Sequence, residues 1–218
     1  MSRRDNGVHR CVRCRMLGGL CVCALLPDPP LRTRTRLVLF IHRDEERKTT
    51  NTGRLACHCI AGSDIRVRGN QHRPSPPFVA PPGTRPLLLF PHDDAAPLDR
   101  LPPSPEPFTL VVPDGTWRQA RRVRGRVPGL DGVPCVRLPE GEPTSYGLRS
   151  EQRQGGLATI EAIARAFELL EGPHVRAALD RVFRAMVERT LWSRGKIDAA
   201  AISSGCPAGV ERHDPRRR

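Results

Sequence analysis

The sequence predicts an α/β fold built on a mostly parallel sheet, and three observations predict it. Short continuous apolar runs stand at residues 36–41, 87–90 and 108–112, each bounded by polar residues. Helix-period patterns lie between and after these runs. Across 218 residues the hydrophobic share is 38%, enough for one packed core. A strand covered on both faces reads as an unbroken apolar run rather than an alternation. Strands that alternate with helices pair in parallel, with the helices covering the sheet.

The elements follow in chain order. Residues 1–10 read as a basic arm and residues 11–24 as a cysteine-rich knuckle. The segment Pro27-Asp-Pro-Pro30 breaks any helix and marks a boundary. Arg36-Leu-Val-Leu-Phe-Ile41 predicts the first buried strand, and Thr52 to Ala61 a short helix. Leu87 to Phe90 and Phe108 to Val112 predict further strands, with a weaker one from Val133 to Leu138. Between them, Trp117 to Val127 predicts a very basic helix. Leu157, Ile160, Ala164, Phe167 and Leu170 recur at three- and four-residue steps and define one apolar stripe. Gly172-Pro173 ends that helix. A second long one carries Val175, Leu179, Val182, Phe183, Met186, Val187 and Leu191 on one face. The Pro-rich stretches 74–86 and 97–107 are connections, and the tail from Ser203 to Arg218 lacks periodicity and predicts disorder. The expected division is therefore 1–30 for arm and knuckle, 31–202 for the main domain and 203–218 for the tail.

Charge and cysteine usage narrow the function. Lys+Arg is 36 against 23 Asp+Glu, a formal net charge of +13. Clustered cations gain affinity for a polyanion by releasing its counterions, so nucleic acid is the expected partner. Only Lys48 and Lys196 are lysines, however, and such an arginine skew also arises from genome composition. No apolar run approaches the roughly 20 residues of a membrane-spanning helix. The opening MSRRDNGVHRC has charge without a following apolar segment, which argues against a secretory signal. Four of the 8 cysteines, Cys11, Cys14, Cys21 and Cys23, are crowded into the knuckle. A disulfide framework belongs in a smaller secreted chain, so the expected compartment is the reducing cytoplasm.

Four features carry candidate chemistry. The knuckle reads Cys-x2-Cys-x6-Cys-x-Cys, and four thiolates close a tetrahedral Zn²⁺ site with no open position, hence a structural one. Four unligated thiols in a mobile arm are the alternative. Val111-Val-Pro-Asp-Gly-Thr-Trp117 ends a central strand, and ligands collect beyond the carboxyl ends of parallel strands. Asp114 there is either a general base or the cap of the helix starting near Trp117. Tyr146-Gly-Leu-Arg-Ser-Glu-Gln152 leads through Gly155-Gly156 into a helix start bearing Thr159 and Glu161. Free NH groups at such a start bind anionic parts of a ligand, and the same residues also serve as ordinary first-turn groups. Thr50-Asn-Thr-Gly-Arg-Leu55 reads equally as an anion-holding turn or a plain helix cap. His42, His58, His72 and His92 show no metal-ligand spacing and are taken as structural or surface residues. The sequence has neither a Walker phosphate loop nor a Gly-x-Gly-x-x-Gly fingerprint.

In this order, the knuckle, Asn51-Thr-Gly-Arg-Leu55, Asp114-Gly-Thr-Trp117 and Tyr146 through Glu161 resemble the DTW-domain family, in particular its bacterial tRNA-uridine aminocarboxypropyltransferases. The match spans roughly residues 11–170. The resemblance implies a SPOUT-like fold with a knotted C-terminal half that binds S-adenosylmethionine. It also implies transfer of the 3-amino-3-carboxypropyl group to N3 of a variable-loop tRNA uridine, with methylthioadenosine as the other product. One departure stands out: where the family commonly has an arginine after the third-motif tyrosine, this chain has Gly147, and Arg149 or Arg153 must substitute.

The resemblance implies a division of labour. Asp114 is the candidate base, with Thr116 and Trp117 fixing its loop. The cofactor-binding candidates are Thr52, Gly53, Arg54, Pro91, Tyr146, Arg149, Thr159 and Glu161. Arg118, Arg121, Arg122, Arg124 and Arg126, with the knuckle, would contact tRNA phosphates. A SPOUT-type RNA methyltransferase and a non-catalytic zinc-containing RNA-binding protein are the competing expectations.

Overall fold

A computed structural model describes residues 10–70, 75–148 and 156–206. Arg149, Arg153, residues 1–9 of the basic arm and residues 207–218 of the tail lie outside the described residues. Six strands form one sheet: β1 (Arg36–His42), β2 (Asp64–Arg68), β3 (Arg85–Leu89), β4 (Ala96–Pro97), β5 (Phe108–Asp114) and β6 (Cys135–Arg137). Their spatial order is β2-β1-β5-β3-β6-β4, and every paired strand runs parallel. The late strand β5 is inserted between β1 and β3, so it lies at the centre and its carboxyl end is flanked on both sides.

Alternation along the strands explains the continuous apolar runs. Leu37, Leu39 and Ile41 of β1, with Leu110 and Val112 of β5, face one layer; Val38, Phe40 and Val111 face the other. The first layer is α2 (Gly53–Cys59), α5 (Thr159–Glu171) and α6 (Pro173–Ser193). The second is α3 (Trp117–Arg121), α4 (Val123–Arg126) and the chain around Phe78 and Leu130. With both faces covered, the middles of β1 and β5 are apolar on either side; the buried Thr109 of β5 is satisfied by the Thr84 hydroxyl at 2.8 Å.

The long helices are those the periodicity predicts. α5 ends where Gly172 turns to φ 111°, its NH donating to the Phe167 and Glu168 carbonyls. Pro173 then opens α6 at a position whose NH would be unpaired in any case. The basic stretch 117–127 differs from expectation: it forms two short helices, α3 and α4, that meet at Arg122. Two strands and a short helix, α1 (Arg43–Glu46), are absent from the sequence reading. β2 reads Asp-Ile-Arg-Val-Arg and β4 is two residues long. Both occupy sheet edges, where charge and brevity guard against pairing with another chain.

Cys14, Met16, Leu20 and Val22 are buried in the same core cluster as α5 and α6. Among the described residues, no helix is long and apolar enough to cross a membrane.

Candidate functional site

Three segments far apart in sequence meet at one carboxylate. Asp114 ends β5 and is only 5% exposed. Its Oδ1 accepts from the Thr159 hydroxyl at 2.6 Å, and its Oδ2 accepts from the Asn51 amide. With a donor on each oxygen, the carboxylate is held in one orientation. The alternative role, capping α3, falls to Thr116: its hydroxyl accepts from the Gln119 NH while Gln119 reaches back to the Thr116 NH. With the cap supplied from two residues on, Asp114 turns instead to the opposite layer.

Gly53 is wedged beneath this carboxylate. A Cβ there would stand 2.9 Å from Asp114 Oδ2 and 3.0 Å from Leu39 Cδ1, closer than side chains tolerate. The Gly53→Ala variant is therefore expected to displace Asp114 and to lose about 1–3 kcal/mol by overpacking. Thermal unfolding reads the second effect and product formation the first; unchanged values for both would contradict the wedge.

The remaining predicted residues divide by what they touch. Thr52 accepts from the Ile160 NH at 3.3 Å, tying α2 to the start of α5. The Arg54 NH donates to Asn51 Oδ1 at 3.2 Å, which orients the Asn51 amide toward Asp114; its guanidinium approaches Glu46 at 3.5 Å. Tyr146 is buried, its ring 5.7 Å from that of Phe183 and its hydroxyl donating to the Thr50 carbonyl at 2.7 Å. It thus braces the turn that carries Asn51. Glu161 accepts from the NH groups of Ala158 and Ser145, both at 2.8 Å, and from the Thr144 hydroxyl at 2.5 Å. These contacts make it the clamp between the 144–146 loop and α5. Its Glu161→Ala variant leaves those donors without their acceptor at a cost of about 1–3 kcal/mol, read as a lower denaturation midpoint.

Trp117 and Pro91 are exposed at the carboxyl edge of the sheet, with the Trp117 ring 5.5 Å from Phe90. Thr116, the cap of α3, is exposed as well. Arg118, Arg121, Arg122 and Arg126 are exposed, whereas Arg124 is engaged by both oxygens of Asp94, at 2.9 and 2.7 Å.

The sequence reading passed over two residues of this neighbourhood. Asn51 lay inside a quoted motif without a role, since nothing local says which distant group an amide will meet. His42 ends β1, beside the end of β5, and its Nδ1 lies 3.0 Å from Gln119 Nε2. Burial lowers its pKa, against the opposing pull of Asp44. Its position as the last residue of a central strand was the available signal. Below Asp114, burial and the carboxylate together raise the Cys57 pKa, keeping it a thiol.

The four knuckle sulfurs lie within 4.8 Å of one another, with Cys11–Cys23 at 3.5 Å and Cys14–Cys21 at 3.6 Å. A tetrahedral ion with metal–sulfur bonds near 2.3 Å spaces its sulfurs by about 3.8 Å, so this donor set fits one. Burial pushes the Cys14 and Cys23 thiols up. At Cys11 burial is outweighed by the backbone NH groups of Cys14 and Arg13, and the thiol is lowered to about 6. Arg189, 8% exposed, donates to the Cys21 carbonyl and puts a positive charge beside the cluster.

A sequence model described as the DTW domain matches residues 8–191. The tRNA-uridine aminocarboxypropyltransferase 2 of Drosophila melanogaster is 29% identical over 194 residues, covering 85% of this chain and 76% of that protein. Its namesake in Macaca fascicularis is 27% identical over 183 residues, 81% of this chain and 61% of that one. The tRNA-uridine aminocarboxypropyltransferase A of Arabidopsis thaliana is 24% identical over 229 residues, with 86% and 84% covered. These relatives are animal and plant proteins, so they support the family at large rather than its bacterial branch. No solved structure matches the chain. With the domain model spanning all four motifs and the Asp114 cluster they build, this chain belongs to the DTW-domain family.

Proposed function

We propose that this chain transfers the 3-amino-3-carboxypropyl group of S-adenosylmethionine to N3 of a uridine in the tRNA variable loop, releasing methylthioadenosine. One observation carries the reading: a buried carboxylate at the carboxyl edge of the central strand, held on both oxygens, in a chain similar to proteins named for this reaction. The uridine N3–H is weakly acidic, and its nitrogen becomes nucleophilic as the proton leaves. Asp114 accepts that proton while N3 bonds to the γ-carbon of the methionine moiety. The carbon–sulfur bond breaks, and its electron pair stays on sulfur as a thioether. S-adenosylmethionine supplies the sulfonium leaving group; the protein supplies the base and the choice of carbon. Positioning makes that choice, and it is where most of the rate enhancement arises.

The other residues serve that geometry. Thr159 and Asn51 aim the carboxylate, while Thr52, Gly53, Arg54, Tyr146 and Glu161 hold the turns from which those two project. Residues 31–202 form the catalytic domain, related to SPOUT proteins with a knotted C-terminal half. Residues 1–30 carry a structural Zn²⁺ on Cys11, Cys14, Cys21 and Cys23, a thiolate set suited to the reducing cytoplasm. The exposed arginines of α3 and α4, with the knuckle, contact tRNA phosphates.

Incubation of the purified protein with unmodified tRNA transcript and S-adenosylmethionine tests the proposal. Nucleoside mass spectrometry is expected to detect aminocarboxypropyluridine, with methylthioadenosine as co-product. Methyluridine with adenosylhomocysteine would convert the reading to a methyltransferase, and no product at all would overturn it.

A further inference from the structure

Buried arginines need a countercharge, because a desolvated cation without one is costly. Arg189 donates to the carbonyl of Cys21, one of the four clustered cysteines, whose thiols would become anionic on holding a metal. Arg68, the last residue of β2, has nothing comparable. It is 6% exposed; its Nη2 donates to the Gln119 carbonyl, and its Nε is buried without a hydrogen-bond partner. Among the described residues no carboxylate lies within ion-pair distance of it. Burial depresses its pKa, and the neighbouring charge is another cation, Arg126, which depresses it further. Among the described residues, a buried guanidinium thus stands without a carboxylate partner, under a helix layer that also carries the exposed Arg126.

Their place in the fold says what the missing anion is. Arg68 pairs with His42, and Asp114 with Ile41, so both sit at the carboxyl edge of the sheet. Two strand spacings, roughly 10 Å, separate β2 from β5. Arg68 faces the α3–α4 layer, on the side of the exposed Arg118, Arg122 and Arg126. Asp114 faces the opposite layer, with Asn51 and Thr159.

We infer that Arg68 and Arg126 form an oxyanion subsite that grips one phosphodiester of the substrate RNA close to the target nucleotide. A guanidinium also grips a carboxylate, and the methionine end of S-adenosylmethionine carries one; the side of the sheet favours the phosphodiester. The choice between these two anions rests on the proposed reaction, whereas the vacancy of countercharge at Arg68 does not.

The test measures tRNA affinity of the full chain against salt concentration. Arg68→Gln keeps a donor for the Gln119 carbonyl and removes the charge. It is expected to weaken tRNA binding about tenfold and to reduce the slope of log K against log salt by about one ion. The ratio of S-adenosylmethionine to methylthioadenosine affinity stays as in the wild type. A selective loss of S-adenosylmethionine with an unchanged slope would overturn the phosphodiester assignment, as would no change in either ligand.

Arg126→Glu gives a second arm on an exposed residue, independent of whether Arg68→Gln folds. The new carboxylate supplies the countercharge from within, so the melting temperature rises while tRNA affinity falls by more than in Arg126→Gln. A melting temperature that stays level or drops would overturn the pairing. Wild-type protein that binds neither tRNA nor S-adenosylmethionine would instead refute the proposed reaction, so the two failures are distinguishable.

Discussion

The Asp114→Asn variant is expected to bind S-adenosylmethionine as the wild type does and to form product about 10²–10⁴-fold more slowly, the usual contribution of a positioned base. The substitution suits the test because the surrounding network accommodates it. Thr159 presents a hydroxyl, which accepts as readily as it donates, so the new amide can turn its NH₂ toward Thr159 and its oxygen toward Asn51. The fold and the pocket shape are retained, and only the proton acceptor is lost. Single-turnover rates with saturating tRNA and cofactor read the effect directly. A variant that retains the wild-type rate would remove Asp114 from the chemistry and leave it a structural link between β5, α2 and α5.

The second large effect is expected at the knuckle. Cys14 is 3% exposed, and its neighbours Met16, Leu20 and Val22 belong to the core shared with α6. Cys14→Ser removes one thiolate of four and frees a hairpin that the ion would otherwise hold against that core. Bound zinc is expected to fall from about one equivalent per chain toward none. If the hairpin contributes about 3–5 kcal/mol, the melting temperature drops by roughly 10 °C, given about 2–4 °C per kcal/mol at this chain length. Metal content by mass spectrometry and a thermal scan check the two halves. Freshly reduced wild-type protein without zinc would refute the metal assignment, and an unchanged melting temperature in the variant would refute its structural weight.

Both effects begin with residues legible in the chain itself, yet to different extents. The knuckle was readable because its cysteines are local: four at short spacings leave few ways to keep the sulfurs apart. Asp114 was readable as a strand-end acid, but its two roles stayed open. The capping role belongs to Thr116, whose capping box with Gln119 satisfies α3 and leaves Asp114 to face α2 and α5; its role as base is part of the proposed reaction.

Hydrophobic periodicity determined β1, β3, β5, α5 and α6, since a buried strand or an amphipathic helix writes its environment into consecutive residues. Edge strands do not, and β2, with three charged residues in five, gave no such signal. The meeting of Asn51, Asp114 and Thr159 was likewise invisible, because it depends on β5 being inserted between β1 and β3 and on α5 crossing behind them. The sequence alone therefore determined which central segments are buried and which four thiols lie together. Only the tertiary structure decided which polar groups meet, because contacts between residues 51, 114 and 159 follow from strand order and helix packing, which no local pattern encodes.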